Sequence, residues 1–406
     1  MMTRRELLRF AILLPAGAWL SRFQTLAEPE LGKIRITNIW AMKLSRSNCL
    51  IRIDTDAGIS GYGEAGTNGP MARARIEVMK QYLIGKDPLA IEVHFHNLTT
   101  LMHAWMAHIP TISGIDIALW DLAGKILNRT VCVLLGGPFR ESIPLYSHGS
   151  NVDMLDKGSC REWAQRVRSA PEGFTAYKIS FDSYIGIAAA RYATTLTPAQ
   201  VRTVFRAYSN LREAVGTDID IAVHCHNELD TPSAIAVARA VEPLEPLFYE
   251  DPLNVPFSEA WMSLRRSSRI PLLTGEKLEL LRGFKPFIDN QAVDFIHPDL
   301  AFAGGITGVK KIADYATMTR TPVALHNVGS LVLTMASAQF GASVHNFFRS
   351  ESPLGWPDRI AEKMSATNPP VVRNSLLQVP MGPGLGLDIN PDFLKEYMEP
   401  GEPFWG

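Results

Sequence analysis

Four cysteines in 406 residues are few, and no two of Cys49, Cys132, Cys160 and Cys225 stand in a C-x-x-C spacing. That excludes a thiolate zinc site and argues against a disulfide framework, so the four read as buried free thiols. A surplus of charge is also missing. Lys+Arg number 40 against 41 Asp+Glu, the net charge is -1, and no long Lys/Arg block is present. Nucleic acid has no electrostatic footprint to find, and a small molecule is the expected partner. No internal repeat or low-complexity tract occurs, and no G-x-G-x-x-G follows the first strand pattern. The usual signature of a dinucleotide site is therefore absent.

What is present is a chain of 46% hydrophobic residues, with core enough for two domains. Its first stretch stands apart. "TRRELLRFAILLPAGAWL" opens near Arg4-Arg5, runs apolar from Phe10 to Leu20, and small residues follow near Ala27. The apolar run is short for a membrane span, which needs ~20 residues. Residues 1–29 read as an export signal of the twin-arginine type, which carries folded proteins towards the periplasm. The plainer alternative is an amphipathic N-terminal helix. Once the signal is removed, no membrane contact is expected.

Residues 32–140 pair β-branched strand patterns ("KIRITNIWAMKL", "NCLIRIDTDAGISGYGEAG") with helical ones, as an α+β unit. Residues 141–375 alternate short apolar runs with helical stretches, which predicts a parallel sheet, closed as a β/α barrel rather than open. Residues 376–406, rich in Gly and Pro, read as a segment returning to the first domain.

In a β/α barrel the active site forms where the strands end. The ends of successive runs here carry Lys178, His224 and His226, Glu250 and Asp251, Glu276 and Lys277, Asp299, His326, and Glu351. Carboxylates converging on one point repel unless a cation sits among them, so Glu250 and Glu276 are candidate ligands of a hard divalent ion such as Mg²⁺. Alternation puts His224 and His226 on one face and turns Cys225 to the other. Asp299 and His326, ending adjacent runs, are placed to meet as a carboxylate-held general base. A lone histidine bonded to a backbone carbonyl is the bland alternative; the neighbouring acids count against it.

Several long motifs, "SGIDIALWDLAGKILNRTVCVLLGG", "YEDPL", "TGEKL", "HPDLAFAGGITGVKKIADYA" and "MGPGLGLDI", resemble the enolase superfamily. The nearest likeness is to its mandelate racemase-like branch and the sugar-acid dehydratases within it. The resemblance runs from about Lys33 to Tyr397. It implies an α/β fold, a modified (β/α) barrel with an N-terminal α+β capping domain, and a divalent metal, Mg²⁺ in the family. It also implies an acid-sugar substrate and, as in many such proteins, a homo-oligomer. The chemistry implied is removal of the proton next to a carboxylate. Residue by residue, the metal ligands fall on His224, Glu250 and Glu276, the base pair on His326 and Asp299, and the substrate-carboxylate contact on Glu351. His148 in "YSHGSN" and Asn68 in "GTNG" resemble substrate contacts.

The dehydratases carry Asp-x-His on the third barrel strand, where this chain has His224-x-His226. His226 keeps the place of the general acid. His224 replaces a metal-binding aspartate, which implies either a site shifted towards Mn²⁺, Fe²⁺ or Zn²⁺ or a degraded one. Racemases of the branch carry Lys-x-Lys; here Lys178 is followed by Ser180. Without the second lysine, dehydration fits better than racemisation, and Lys178 is left to neutralise substrate charge or, more plainly, to pair with a barrel acid. Two rivals stand beside it: an epimerase of the superfamily, or an exported protein that binds acid sugars without turnover.

Overall fold

The structure, a computed structural model, describes residues 32–45, 48–100, 106–186, 194–354, 360–367 and 369–405. The export-signal segment lies outside these residues. Strands β1 (Ile36–Lys43), β2 (Cys49–Thr55) and β3 (Ser60–Ala65) form an antiparallel meander in the order β1-β2-β3. The helix Ile109–Ile126 lies across it. Gly63 makes this close approach possible: a Cβ there would stand 2.0 Å from the carbonyl oxygen of Gly114 on the helix. Among the described residues, no helix is long and apolar enough to cross a membrane.

Eight parallel strands follow: β4 (Ser142–His148), β5 (Ala176–Ser180), β6 (Asp220–His224), β7 (Tyr249–Glu250), β8 (Leu272–Thr274), β9 (Phe295–Ile296), β10 (Val323–Leu325) and β11 (Phe347–Ser352). Each pairs with the next, and β11 pairs with β4, so the sheet closes into a barrel. Helices separate the strands, and their starts are written in the sequence. Asp156 and Asp230 cap two of them, and Thr197 with Gln200 forms a capping box on a third. The hairpin β12 (Val372–Arg373) and β13 (Leu376–Gln378) turns on Asn374 and Ser375, both at positive φ, and lays β13 antiparallel on β4.

The barrel interior is packed. Tyr146, Ala176, Ala222, Phe248, Leu273 and Ala324 form one buried cluster that combines large and small side chains. With a period of two, the next inward position after five of these is His148, Lys178, His224, Glu250 and His326. The plug is thus the floor on which the polar residues stand.

The chain end returns to the first domain. Leu44 bridges to Met398, Glu399 N–H donates to the Lys43 carbonyl at 2.9 Å, and Arg73 pairs with Glu402. The two domains also meet directly. Glu64 accepts from Ser330 N–H at 2.9 Å and Leu333 N–H at 3.2 Å, at the start of the helix Leu331–Ser343. Asp116 accepts from Thr307 N–H at 2.9 Å, in the first turn of Gly305–Ala316. Asp121 accepts from Leu385 N–H at 2.8 Å. The two helix starts are natural carboxylate sites, because their first N–H groups have no partner within the helix.

Candidate active site

At the C-terminal ends of the strands, Lys178 Nζ lies 2.8 Å from both Glu250 Oε1 and Glu351 Oε2, and all three side chains are buried. Burial alone would lower the lysine; the charges of Glu250 and Glu351 outweigh it and raise it. Lys178 is therefore a fixed cation, unsuited to act as a base. Burial opposes ionisation of Glu250, yet the Lys178 ammonium, then His224, holds its carboxyl well below the usual range.

His326 Nδ1 lies 2.6 Å from Asp299 Oδ2, and its Nε2 lies 3.2 Å from Glu276 Oε2 and 3.7 Å from Glu351 Oε2. Asp299 and His326 are paired in parallel register just beyond β9 and β10. Burial pulls the imidazole down, but the Glu276 charge and the Asp299 hydrogen bond push it up to about 9. With Asp299 taking Nδ1–H, Nε2 is the nitrogen left to exchange a proton.

On β6 the two histidines touch. His224 Nε2 and His226 Nε2 are 2.9 Å apart, and His226 Nδ1 lies 2.7 Å from Asp182 Oδ2. Against burial, which lowers it, the bond and charge of Asp182 raise the His226 imidazole. His224, fully buried, is lowered first by burial. His148 ends β4 with its ring 6.4 Å from that of His224, and burial, then Lys178, pushes it down to about 4.

A cation site can be tested on the donors themselves. Glu250, Glu276 and His297 offer ligand atoms all within 4.8 Å of one another. Glu250 Oε2 is buried without a hydrogen-bond partner, as is Glu351 Oε1. Each such oxygen costs about 1–3 kcal/mol or more if nothing answers it. His297 Nδ1 lies 2.9 Å from the Ala324 carbonyl and so carries the proton, which leaves its Nε2 as an acceptor, 3.4 Å from the Tyr146 hydroxyl and 3.6 Å from Glu250 Oε1. Two carboxylates and an imidazole nitrogen fit a divalent ion.

His224, expected as the third ligand, lies outside that compact set. Its Nδ1 is 3.1 Å from Glu250 Oε1 but in hydrogen-bonding alignment with no group, and its Nε2 is turned to His226. Asn68, expected to contact substrate, caps the helix Gly69–Leu83 by accepting from Met71 N–H at 2.9 Å. Its loop nevertheless reaches the barrel: Gly66 N–H donates to the Ala301 carbonyl at 3.1 Å, two residues beyond Asp299. The Tyr184 hydroxyl is bound to the backbone at Val152 and Met154.

Two residues were missed in the sequence, although parity marks both. His297 precedes Asp299 by two, and Asp182 follows Lys178 and Ser180 in the same phase.

A closed barrel under an α+β cap, with acids and a histidine–aspartate pair at its mouth, is an enzyme architecture. The profile described as Mandelate racemase / muconate lactonizing enzyme, N-terminal domain, matches residues 39–136. That described as Enolase C-terminal domain-like matches residues 160–393. The chain belongs to the enolase superfamily, in its mandelate racemase / muconate lactonizing enzyme branch. It is 34% identical to the D-xylonate dehydratase of Haloferax volcanii over 361 residues, 87% of this chain and 86% of that one. It is 28% identical to the D-gluconate dehydratase of Thermoproteus tenax, over 87% of this chain and 70% of that one. The solved mandelate racemase/muconate lactonizing enzyme-like protein of Rubrobacter xylanophilus superposes with a TM-score of 0.83. Its identity is 30%, over 92% of this chain and 99% of that one.

Proposed function

We propose that this protein is a hydro-lyase that dehydrates a sugar acid to a 2-keto-3-deoxy acid. The observation that carries the reading is a pair of imidazoles on facing walls. His226 lies just past β6 and His326 just past β10, four staves apart in a ring of eight, each bound through Nδ1 to a buried carboxylate.

His326, oriented by Asp299, takes the proton from the carbon next to the substrate carboxylate. The electron pair released forms an enediolate. The C–O bond at the neighbouring carbon then breaks, and the departing oxygen takes a proton from His226 and leaves as water. The enol product tautomerises to the keto acid. Lys178 contributes fixed positive charge, and Glu351, with one unpartnered oxygen, accepts from the substrate. Glu250 and Glu276, with His297, would hold a divalent ion, which would supply positive charge against the substrate carboxylate and against the carboxylates around His326. The oxygen donors admit Mg²⁺, and the nitrogen donor improves the case for Mn²⁺, Fe²⁺ or Zn²⁺. The cap excludes water and selects the substrate. Relatives named as D-xylonate and D-gluconate dehydratases support an aldonic acid as substrate class.

The test is a panel of five- and six-carbon sugar acids incubated in D₂O with Mg²⁺ or Mn²⁺, read for keto acid and for deuterium at the α carbon. Keto acid from one or a few acids is expected. Deuterium without water loss would make the protein an epimerase, and neither signal would make it a binding protein. The twin-arginine pattern further supports export to the periplasm, which fractionation with and without residues 1–29 tests.

A further inference from the structure

Asp182 belongs to no family motif identified in the sequence, yet it is one of the most constrained groups near the mouth. It starts the short turn Asp182–Ile185 after β5 and is 7% exposed. Its neighbour follows from register. β5 and β6 run parallel with Ser180 opposite His224, and two residues further along each chain Asp182 meets His226. The contact is 2.7 Å, from Asp182 Oδ2 to His226 Nδ1. The histidine is held from a second side, since Glu228 accepts its backbone N–H at 2.5 Å.

The same construction occurs across the barrel. Asp299 and His326 are also neighbours in parallel register, joined through Nδ1. One such pair suits a base. The second has a more open imidazole, with a His226 side chain 29% exposed against 10% for His326. A carboxylate that takes Nδ1–H fixes the ring's rotation and leaves Nε2 as the nitrogen that can serve a ligand. In the resting structure that nitrogen lies against His224 Nε2, where a substrate hydroxyl can replace it as partner.

We propose that Asp182 is the positioning residue of the elimination half of the reaction: it holds His226 so that Nε2 delivers the proton to the departing hydroxyl. This rests on the dehydratase reading and deepens it. The balance is that of the reaction above: the C–O electron pair leaves with oxygen, the His226 proton completes water, and Asp182 keeps its charge throughout. Asp182 has no part in removing the α-proton, which belongs to His326.

That division makes the test. In D₂O, Asp182→Asn is expected to slow keto-acid formation about 100-fold, with KM within about threefold, a span of some 0.7 kcal/mol. Deuterium then accumulates at the α carbon of recovered substrate, as in His226→Asn, and the summed rate of α-proton removal stays near wild type. Asp182→Glu is expected to restore part of the elimination. A purely structural role would instead lower exchange and elimination together, and that result overturns the proposal. ¹⁵N spectra of the histidine rings supply a readout independent of turnover. The wild type should show His226 as the imidazolium, with Nδ1–H held by Asp182 and Nε2–H as the proton to be delivered, and the signal altered in Asp182→Asn. An unchanged signal sinks the pairing alone, while a wild type giving neither keto acid nor α-deuterium sinks the dehydratase reading and this inference with it.

Discussion

Where the cap sits on the barrel, Glu64 and Asp116 are buried and accept backbone N–H groups of the facing domain. At the mouth, Glu250, Asp299 and Glu351 are buried as deeply, but they face Lys178, His224 and His326. Peptide donors cannot ionise or swing away, so carboxylates that meet them dock one domain on the other. Imidazole donors carry mobile protons beside the fixed charge of the Lys178 ammonium, and the mouth leaves Glu250 Oε2 and Glu351 Oε1 with no partner. One residue type thus serves cohesion in one place and reactivity in the other, and the partner decides which. Asp116 blurs the contrast: its Oδ1 also lacks a partner, and burial raises its carboxyl to about 7.

Replacing His326 with asparagine should break the mouth alone. Both α-deuterium exchange and keto-acid formation should fall about 10³–10⁴-fold, while the urea midpoint stays near wild type once the pH exceeds about 9, where the raised imidazole no longer stabilises the fold. A parallel loss of stability would show that mouth and seam are not separate.

Asp116→Asn should sharpen the comparison through pH. The folded carboxyl, at about 7, lies above its ordinary 3.8, so the folded state holds a proton that the unfolded chain releases between those values. This group therefore costs stability increasingly as pH rises from about 4 to about 7. The asparagine variant should gain on wild type across that window, by up to about 4 kcal/mol. Urea titrations at a series of pH values decide it, and a constant difference would contradict the burial argument.

Glu64→Gln should cost about 2 kcal/mol of unfolding free energy, since charge-assisted bonds at a helix start become neutral ones. Activity at saturating substrate should survive in the folded fraction. The smallest effect is expected for Lys277→Met. Lys277 Nζ donates to Asn227 Oδ1 at 2.6 Å and to the His226 carbonyl at 3.2 Å and lies 3.1 Å from Glu276 Oε1, but its side chain is 32% exposed, which screens the pair. Losing such bonds costs about 1 kcal/mol, a fewfold change in kcat/KM. A loss above about 100-fold, or roughly 2.7 kcal/mol, would place Lys277 in the chemistry itself.

Much of this was legible in the chain. The switch from a meander to alternating strands and helices announced a cap and a barrel. Ionisable residues at the ends of apolar runs marked the mouth, because a period of two puts every second strand residue inward and the plug residues precede them in phase. The Asp299–His326 pair was legible for the same reason: its members end adjacent runs. His297 obeyed the same parity and was passed over, because its run was read for one acid only. Asn68 had a local helix-start signal, an asparagine two residues before Pro70, and the cap it makes is the role that signal marks.

The amino-acid order by itself determined which groups could reach the barrel mouth, because side-chain direction along a strand is a local property. It also determined that only Ser180 occupies the place of a second strand-two lysine. Only the tertiary structure decided which group meets which: Asp182 with His226, His297 with Glu250 and Glu276, Lys178 between Glu250 and Glu351. Those partners lie up to 173 positions apart in the chain. Closing β11 onto β4 and sliding each stave into register brings them together, and no local periodicity records that event.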